Sequence, residues 1–402
     1  MRSLLSITAK NFLSLQDVEV ELQELSVLVG PNGAGKSNLL KVIQFLGDTA
    51  RYDLGPAIQE HGGYERLVFR SPSKEHRAPR ITLGIKGRFT KNSSDIAPDE
   101  YTLSFSQRQG NAAAHNLVFS QRREEFIFKR KAGPGRRITI AGGKAEIQRA
   151  TQQRQLALAT TSSGLSTLPK LGRDEGGEQI TMLADLLKNF RVFEVDAKKA
   201  RRPAEFDREN SKLLDSDAGN LASFLRWLHD YESDVFELFV DDLRTIAPTV
   251  EDVRVVKIGG GSDEAVAVQL KERGLAGLTN MSEASFGTIR AMALLAMLHD
   301  PNPPRLTCVE EIDHGLHPHA LDRIVERLRS ASRRTQLLVV THSPALANRL
   351  NPGELIVCER DLETGASRIP AISSINVARM AAVSNLSLGE LWFSGALGGG
   401  LE

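Results

Sequence analysis

An α/β fold with a mostly parallel sheet core, an antiparallel β subdomain and an inserted α/β lobe is what this sequence predicts. Three observations carry the prediction. The almost wholly apolar run LSVLV (25–29) passes straight into GPNGAGKS and then NLLKVIQFLG, whose apolar residues recur at helical spacing. A buried central strand therefore feeds a glycine-rich turn and a helix. From residue 286 onward, helix-like and strand-like runs alternate, the texture of a parallel sheet covered by helices. Between these ends, residues 81–130 hold four strand-like runs, RITLGIKGRF, EYTLSFSQ, HNLVFS and EFIFKRK, separated by polar turns, which suits an antiparallel sheet.

Taken in order, SLLSITAKNF and VEVELQ alternate as a pair of strands ahead of LSVLV. Residues 155–179 are rich in Ser, Thr and Gly and suit a mobile connection, and residues 220–248 carry helical periodicity. A helical stretch at 286–298 precedes Pro301, Pro303 and Pro304. The strand RLTCVEE, the helix HALDRIVERLRSAS, the strand QLLVVTH, the short helix PALANRL and the strand ELIVCER follow. No internal repeat or sustained heptad is present, so no long coiled-coil arm is expected. The expected division is a first core segment (1–85), an inserted lobe (86–250) and a second core segment (251–402).

The bulk numbers exclude some classes. The 402 residues carry 51 Lys and Arg against 50 Asp and Glu, a net charge of +1, so any nucleic-acid surface must be a local patch. The apolar run AMALLAML (291–298) is too short to span a bilayer, and the first residues lack the apolar core of a signal peptide. Cys308 and Cys358, the only cysteines, each sit in an apolar run, the pattern of core thiols in a reducing, cytoplasmic compartment.

Gly30-Pro31-Asn32-Gly33-Ala34-Gly35-Lys36-Ser37 matches G-x-x-x-x-G-K-[ST] in full. The glycines let successive backbone N–H groups curl around a diphosphate, and the following helix adds its positive end. Residues Asn32 to Asn38 are thus the expected nucleotide cradle, with Lys36 on the β and γ phosphates and Ser37 on Mg²⁺.

A second cluster lies far along the chain. In CVEEIDHGLHPHA (308–320), two glutamates, an aspartate and three histidines fall between Glu310 and His319. A transition-metal cage is disfavoured because Gly315 and Pro318 interrupt any helix that would present Glu311 and His314 together. A phosphate loop needs an acid at the end of a neighbouring strand; Glu310 suits holding Mg²⁺, and Glu311 suits orienting or deprotonating the attacking water.

The segments VGPNGAGKSNLL, EASFGTIRAMALLAML, CVEEIDHGLHP and LLVVTHSP, in that order, resemble the ABC-type ATPases of the SMC, RecF and OLD group. The sequence is most similar to the compact bacterial AAA-21-type ATPases that carry no Toprim nuclease domain. NFLSLQDVEVEL, DAGNLASFL and LGELWFSGALGG fit the same likeness. The resemblance implies an ABC/SMC-type P-loop head, with ATP sandwiched between two head-to-tail copies. It makes Ser285-Phe286-Gly287-Thr288 the signature motif, with Ser285 and Gly287 on the opposite copy's γ phosphate. Glu310 becomes the Walker B acid and Glu311 the catalytic glutamate. Gly315-Leu316-His317 becomes the D-loop and His342 the γ-phosphate-sensing switch. The sequence departs from the group at Phe286 and at Ile312, and no glutamine occupies a clear Q-loop position, Gln59 being the nearest candidate.

From Gln107 to Arg154 there are eleven Lys or Arg against three acids, a local excess of eight, and KKARR (198–202) adds another basic cluster. Such patches suit duplex DNA phosphates, while the plainer alternative is a solvated hairpin face. Two readings follow. One is an Mg²⁺-dependent ATPase whose homodimer couples ATP state to DNA binding or sensing, in repair or phage defence. The other is a regulatory ATPase that controls a separate effector protein. A transporter subunit fits less well, because SFGTIR lacks the glutamine-rich continuation of transporter signatures.

Overall fold

The computed structural model describes residues 2–70, 80–107, 122–130, 135–148, 153–172, 175–259 and 265–398. They form two compact units: Met1–Phe190 with Pro352–Leu386 and Leu391–Glu402, and Arg191–Asn351 with Ser387–Glu390.

The first unit holds an eight-stranded sheet in the order Leu15–Glu21, Leu4–Phe12, Ile81–Gly87, Asp99–Phe105, Arg123–Phe128, Arg136–Ala141, Lys144–Gln148 and Gln153–Ala157, each pair antiparallel. The expected opening hairpin is there, with Ile7 opposite Val20. Strand-by-strand alternation sets the buried face: Asp99, Tyr101, Leu103 and Phe105 all point inward from one strand. The expected strand HNLVFS lies outside the described residues. Beyond the expected strands, a two-residue turn at Gly142-Gly143, with Gly142 at φ 57°, pairs Ala141 with Lys144 and continues the meander.

Leu25–Val29 is buried at every position and pairs in parallel with Leu355–Val357. The helix Lys36–Tyr52 then packs against Gly177–Lys188, closely enough that a Cβ on Gly47 would stand 2.6 Å from the Leu187 carbonyl oxygen. Within 155–179, where a mobile connection is expected, the chain is instead tied down. Ser163 caps the short helix Gly164–Thr167, and its hydroxyl and the Gly164 N–H donate to the buried Glu124 carboxylate. Tyr101 and Arg122 also donate to Glu124, offsetting the burial that pushes its pKa up.

The second unit contains three parallel strands, Arg191–Phe193, Leu306–Val309 and Gln336–Thr341, in that order. A separate antiparallel sheet is built on Val250–Ile258 and Ala265–Glu272, edged by Ala204–Glu205 and Leu278–Asn280. The helical stretch at 220–248 is two helices, Leu221–Tyr231 and Ser233–Ile246, broken at Glu232. A buried carboxylate on the second of these helices reaches two further elements. Asp242 meets His299 Nε2 at 2.7 Å, accepts from Arg323 at 2.8 Å and is ion-paired with Arg327 at 2.5 Å. It thereby ties Ser233–Ile246 to the end of helix Phe286–Leu298 and to helix Pro318–Ser332. Burial alone would raise the Asp242 pKa; His299 and the two arginines outweigh it and hold the carboxyl below its usual range.

Candidate nucleotide site

In the first unit the phosphate loop leaves the strand at Gly30 and enters the helix at Lys36, with Gly33 at φ 80° and Gly35 at φ 97°. These left-handed conformations favour glycine, and the loop has no room for side chains at its two ends. A Cβ on Gly30 would lie 2.3 Å from the Cys358 carbonyl oxygen, and one on Gly35 would lie 2.1 Å from Ser367 Oγ. Gly35 caps the helix without a side-chain hydrogen bond, and no acid sits in the first turn, the setting in which a helix N-terminus favours an anion. Lys36 is buried, its Nζ donating to the carbonyls of Gly30 and Pro31, both at 2.8 Å. Asn32 and Gly33 are exposed at the loop apex, and Ser37 is half-buried in the first helical turn. Asn38 turns its amide to Ser14 Oγ at 2.8 Å, and Ser14 meets Ser367 at 2.6 Å, so Asn38 braces the loop from behind. Gln59 lies exposed on the helix Leu54–Glu60. Beneath the loop, burial pushes the Cys358 thiol up to about 12 against the pull of Lys36, so this cysteine is an inert core group.

In the second unit Leu306–Val309 ends at Glu310, whose N–H donates to Phe193 O at 3.0 Å. Glu311 follows, exposed and left-handed at φ 49°, so the chain turns between the two acids. His314 Nδ1 lies 3.4 Å from the Glu311 carboxylate, while His317 caps Pro318–Ser332 and stacks on His319 with ring centroids 5.1 Å apart. The histidines are thus distributed among a turn and a cap. Cys308, within the strand, is buried.

Ser285 is the N-cap of Phe286–Leu298, its hydroxyl accepting from the Thr288 N–H at 3.1 Å. This capping leaves Ser285 exposed. The helix start sits directly on the turn after Glu311: a Cβ on Gly287 would be 2.6 Å from Gly315 O. His342, exposed, follows the strand Gln336–Thr341. Thr341 in turn donates its hydroxyl to Asp313.

Three positioning residues escaped the motif reading. Arg290 reaches back from the signature helix and donates to Glu311 O at 2.9 Å and Val195 O at 3.2 Å. Asp313, through Thr341, links the turn after Glu311 to the segment that carries His342. Arg201, from the KKARR cluster, lies 5.2 Å over the Phe286 ring and donates to Ala284 O at 3.0 Å. Its guanidinium thus braces the signature instead of extending a basic surface.

In the inserted lobe, five of the eleven basic residues are internal or ion-paired. Arg122 is completely buried against Glu124 at 3.3 Å and Gly142 O at 2.7 Å, and Arg136 is buried and bonded to Gln179. Lys129, Arg137 and Arg154 pair with Glu100, Glu125 and Glu175. Arg108, Lys131 and Arg149 lie outside the described residues. Strand alternation explains the two internal cations: Arg122 shares its inward phase with Phe126 and Phe128, and Arg136 with Ile138 and Ile140.

The AAA_21 model, an AAA domain whose description also names the AbiEii toxin of type IV toxin–antitoxin systems, matches residues 190–348. The AAA_15 model, an AAA ATPase domain, matches residues 3–166. An SMC head bound to the C-winged helix domain of ScpA superposes with a TM-score of 0.56 at 15% identity, covering 91% of this chain and 96% of the other. An SMC head with an extended coiled coil, bound to the C-terminal domain of ScpA from Pyrococcus furiosus, gives 0.52 at 14% identity, covering 95% and 99%. Two segments of the chain thus match AAA ATPase domains, the second of the AAA_21 type, and the fold is that of SMC heads. The hemin import ATP-binding protein HmuV of Photobacterium damsela subsp. piscicida is 33% identical to this ATPase over 102 residues, 25% of the chain. The chain spans only 31% of that relative's length. The oxygen donors expected for Mg²⁺ in the ATPase, the Ser37 hydroxyl and the Glu310 carboxylate, are the hard ligands that ion prefers. No described helix is long and apolar enough to cross a membrane.

Proposed function

We propose that this ATPase hydrolyses ATP at composite sites made by two head-to-tail copies, and that the ATP state is coupled to duplex DNA. The observation that carries the dimer is the group of exposed residues at the signature start and in the turn after Glu311. Ser285 and Phe286 are exposed, Gly287 lies against Gly315, and Glu311, His314 and His317 are exposed beside it. A surface assembled from a helix N-terminus and a left-handed acidic turn suits closing over a triphosphate held by another copy.

The roles follow from the chemistry of each group. The loop N–H groups and Lys36 hold the phosphates, and Ser37 and Glu310 would hold Mg²⁺, which supplies charge neutralisation on the β and γ oxygens. Glu311 orients and deprotonates water, and His342 donates to a γ-phosphate oxygen. Ser285 and Gly287 meet the γ phosphate of the opposite copy. Sedimentation of Glu311→Gln with saturating ATP tests the sandwich: a stable dimer is expected, and a monomer would contradict it.

A protein effector in place of DNA is a second reading. The internal arginines of the inserted lobe favour it, since they shrink the basic surface, and so do the SMC heads, which were crystallised with ScpA domains. ATP turnover with and without duplex DNA, at low and moderate salt, separates the two. Salt-sensitive stimulation supports DNA; turnover indifferent to DNA supports the effector.

A further inference from the structure

The geometry points to Arg360 as a direct ligand of the nucleotide's phosphate chain, bound from the same chain that supplies the phosphate loop. This inference rests on the assignment of that loop to ATP. The segment after Leu355–Val357 follows the loop along its whole length. The Cys358 carbonyl packs on Gly30, Ser367 packs on Gly35, and between them Arg360 lies over Gly33 at the apex. Arg360 Nη1 is 3.5 Å from where a Gly33 Cβ would stand, and Nη2 is 3.5 Å from the same point on Gly365. Both glycines are left-handed, at φ 80° and 71°, so two missing side chains make the slot in which the guanidinium rests.

The slot is held firmly. Arg360 pairs with Ser367 across the hairpin Glu359–Arg360 and Ser367–Arg368, and Ser367 bonds the backbone and hydroxyl of Ser14. Acids flank Arg360 in sequence, yet none takes it. Asp361 is occupied by Arg368 at 2.6 Å and by the N–H groups of Glu363 and Thr364. Arg360 is exposed, and its guanidinium makes no hydrogen bond or ion pair to any described residue. A second cation is therefore gathered over a loop that already carries Lys36 and a helix N-terminus. Such an arrangement is repulsive until an anion arrives. A guanidinium offers a rigid fork of donors matched to phosphate oxygens, which a lysine does not.

The test is fluorescence titration of wild type, Arg360→Ala and Arg360→Lys with mant-ATP and mant-ADP, beside thermal unfolding without nucleotide. Loss of one charge-assisted fork should weaken mant-ATP binding of Arg360→Ala about ten- to hundredfold. Mant-ADP should suffer less, Arg360→Lys should recover part of the affinity, and the nucleotide-free unfolding temperature should not move. Equal affinity of wild type and Arg360→Ala for both nucleotides would overturn the inference. So would a matched loss for both accompanied by a lower unfolding temperature, which marks a scaffold role. A wild-type chain that binds neither nucleotide would overturn the ATP site itself, a different failure.

Discussion

Replacing Arg290 by alanine should slow turnover while leaving ATP binding intact. The Arg290 guanidinium donates to the carbonyls of Glu311 and Val195. Glu311 stands at φ 49°, a left-handed conformation that costs an ordinary residue roughly 1–2 kcal/mol. A hydrogen bond from a charged donor contributes about 1.5–3 kcal/mol, enough to outweigh that strain. Burial lowers the Arg290 pKa from its usual value, and the nearby Glu311 and Asp313 oppose the shift, so the side chain remains a cation. Without it the turn is no longer held, and the Glu311 carboxylate leaves its place. Expressed fully in the chemical step, the loss corresponds to a fall in kcat of about ten- to hundredfold. KM and mant-ATP affinity should change little, and Arg290→Lys, reaching one carbonyl at most, should fall between. A folded Arg290→Ala protein with kcat within about twofold of wild type would refute the reasoning.

Two other substitutions follow from single contacts. Asp242→Ala strands His299, Arg323 and Arg327 around an empty place, which should cost about 3 kcal/mol in urea unfolding, the low end for a broken buried pair because both arginines are partly exposed. Because the folded Asp242 pKa is depressed below 3.8, its stabilisation is present above that pH and lost as pH falls through the folded value. The gap between wild type and variant should therefore close in acid; a constant gap down to unfolding would contradict the ion-pair account. Gly35→Ala places a methyl 2.1 Å from Ser367 Oγ at φ 97°, so the loop or the Ser367 hairpin must shift. Mant-ATP affinity should fall by more than about tenfold, since misplaced loop N–H groups no longer converge on the phosphates.

What was legible in the sequence was local. LSVLV-GPNGAGKS announced its strand, turn and helix because every contact that shapes it at first order lies within a few residues. The alternation around Tyr101 and Phe126 likewise gave the antiparallel strands. What stayed hidden depends on distant partners: Ser14 meets Ser367 across 353 positions, and Arg290 finds Glu311 across 21. The basic lobe was misjudged because charge was counted without phase. Arg122, just ahead of its strand, shares the inward phase of Glu124, Phe126 and Phe128, and Arg136 that of Ile138 and Ile140. Reading those strands in steps of two from Phe128 and Ile138 would have withdrawn both arginines from the surface.

The composite site is tested most directly by mixing two inactive chains, Lys36→Ala and Ser285→Arg. If each ATP is held by the loop of one copy and the signature of the other, every mixed dimer has one intact site. Turnover should then return to about a quarter of wild type at equal mixing, half the dimers being mixed and one site in two intact. Mixtures no more active than their parts would contradict the head-to-tail sandwich and leave hydrolysis to a single copy.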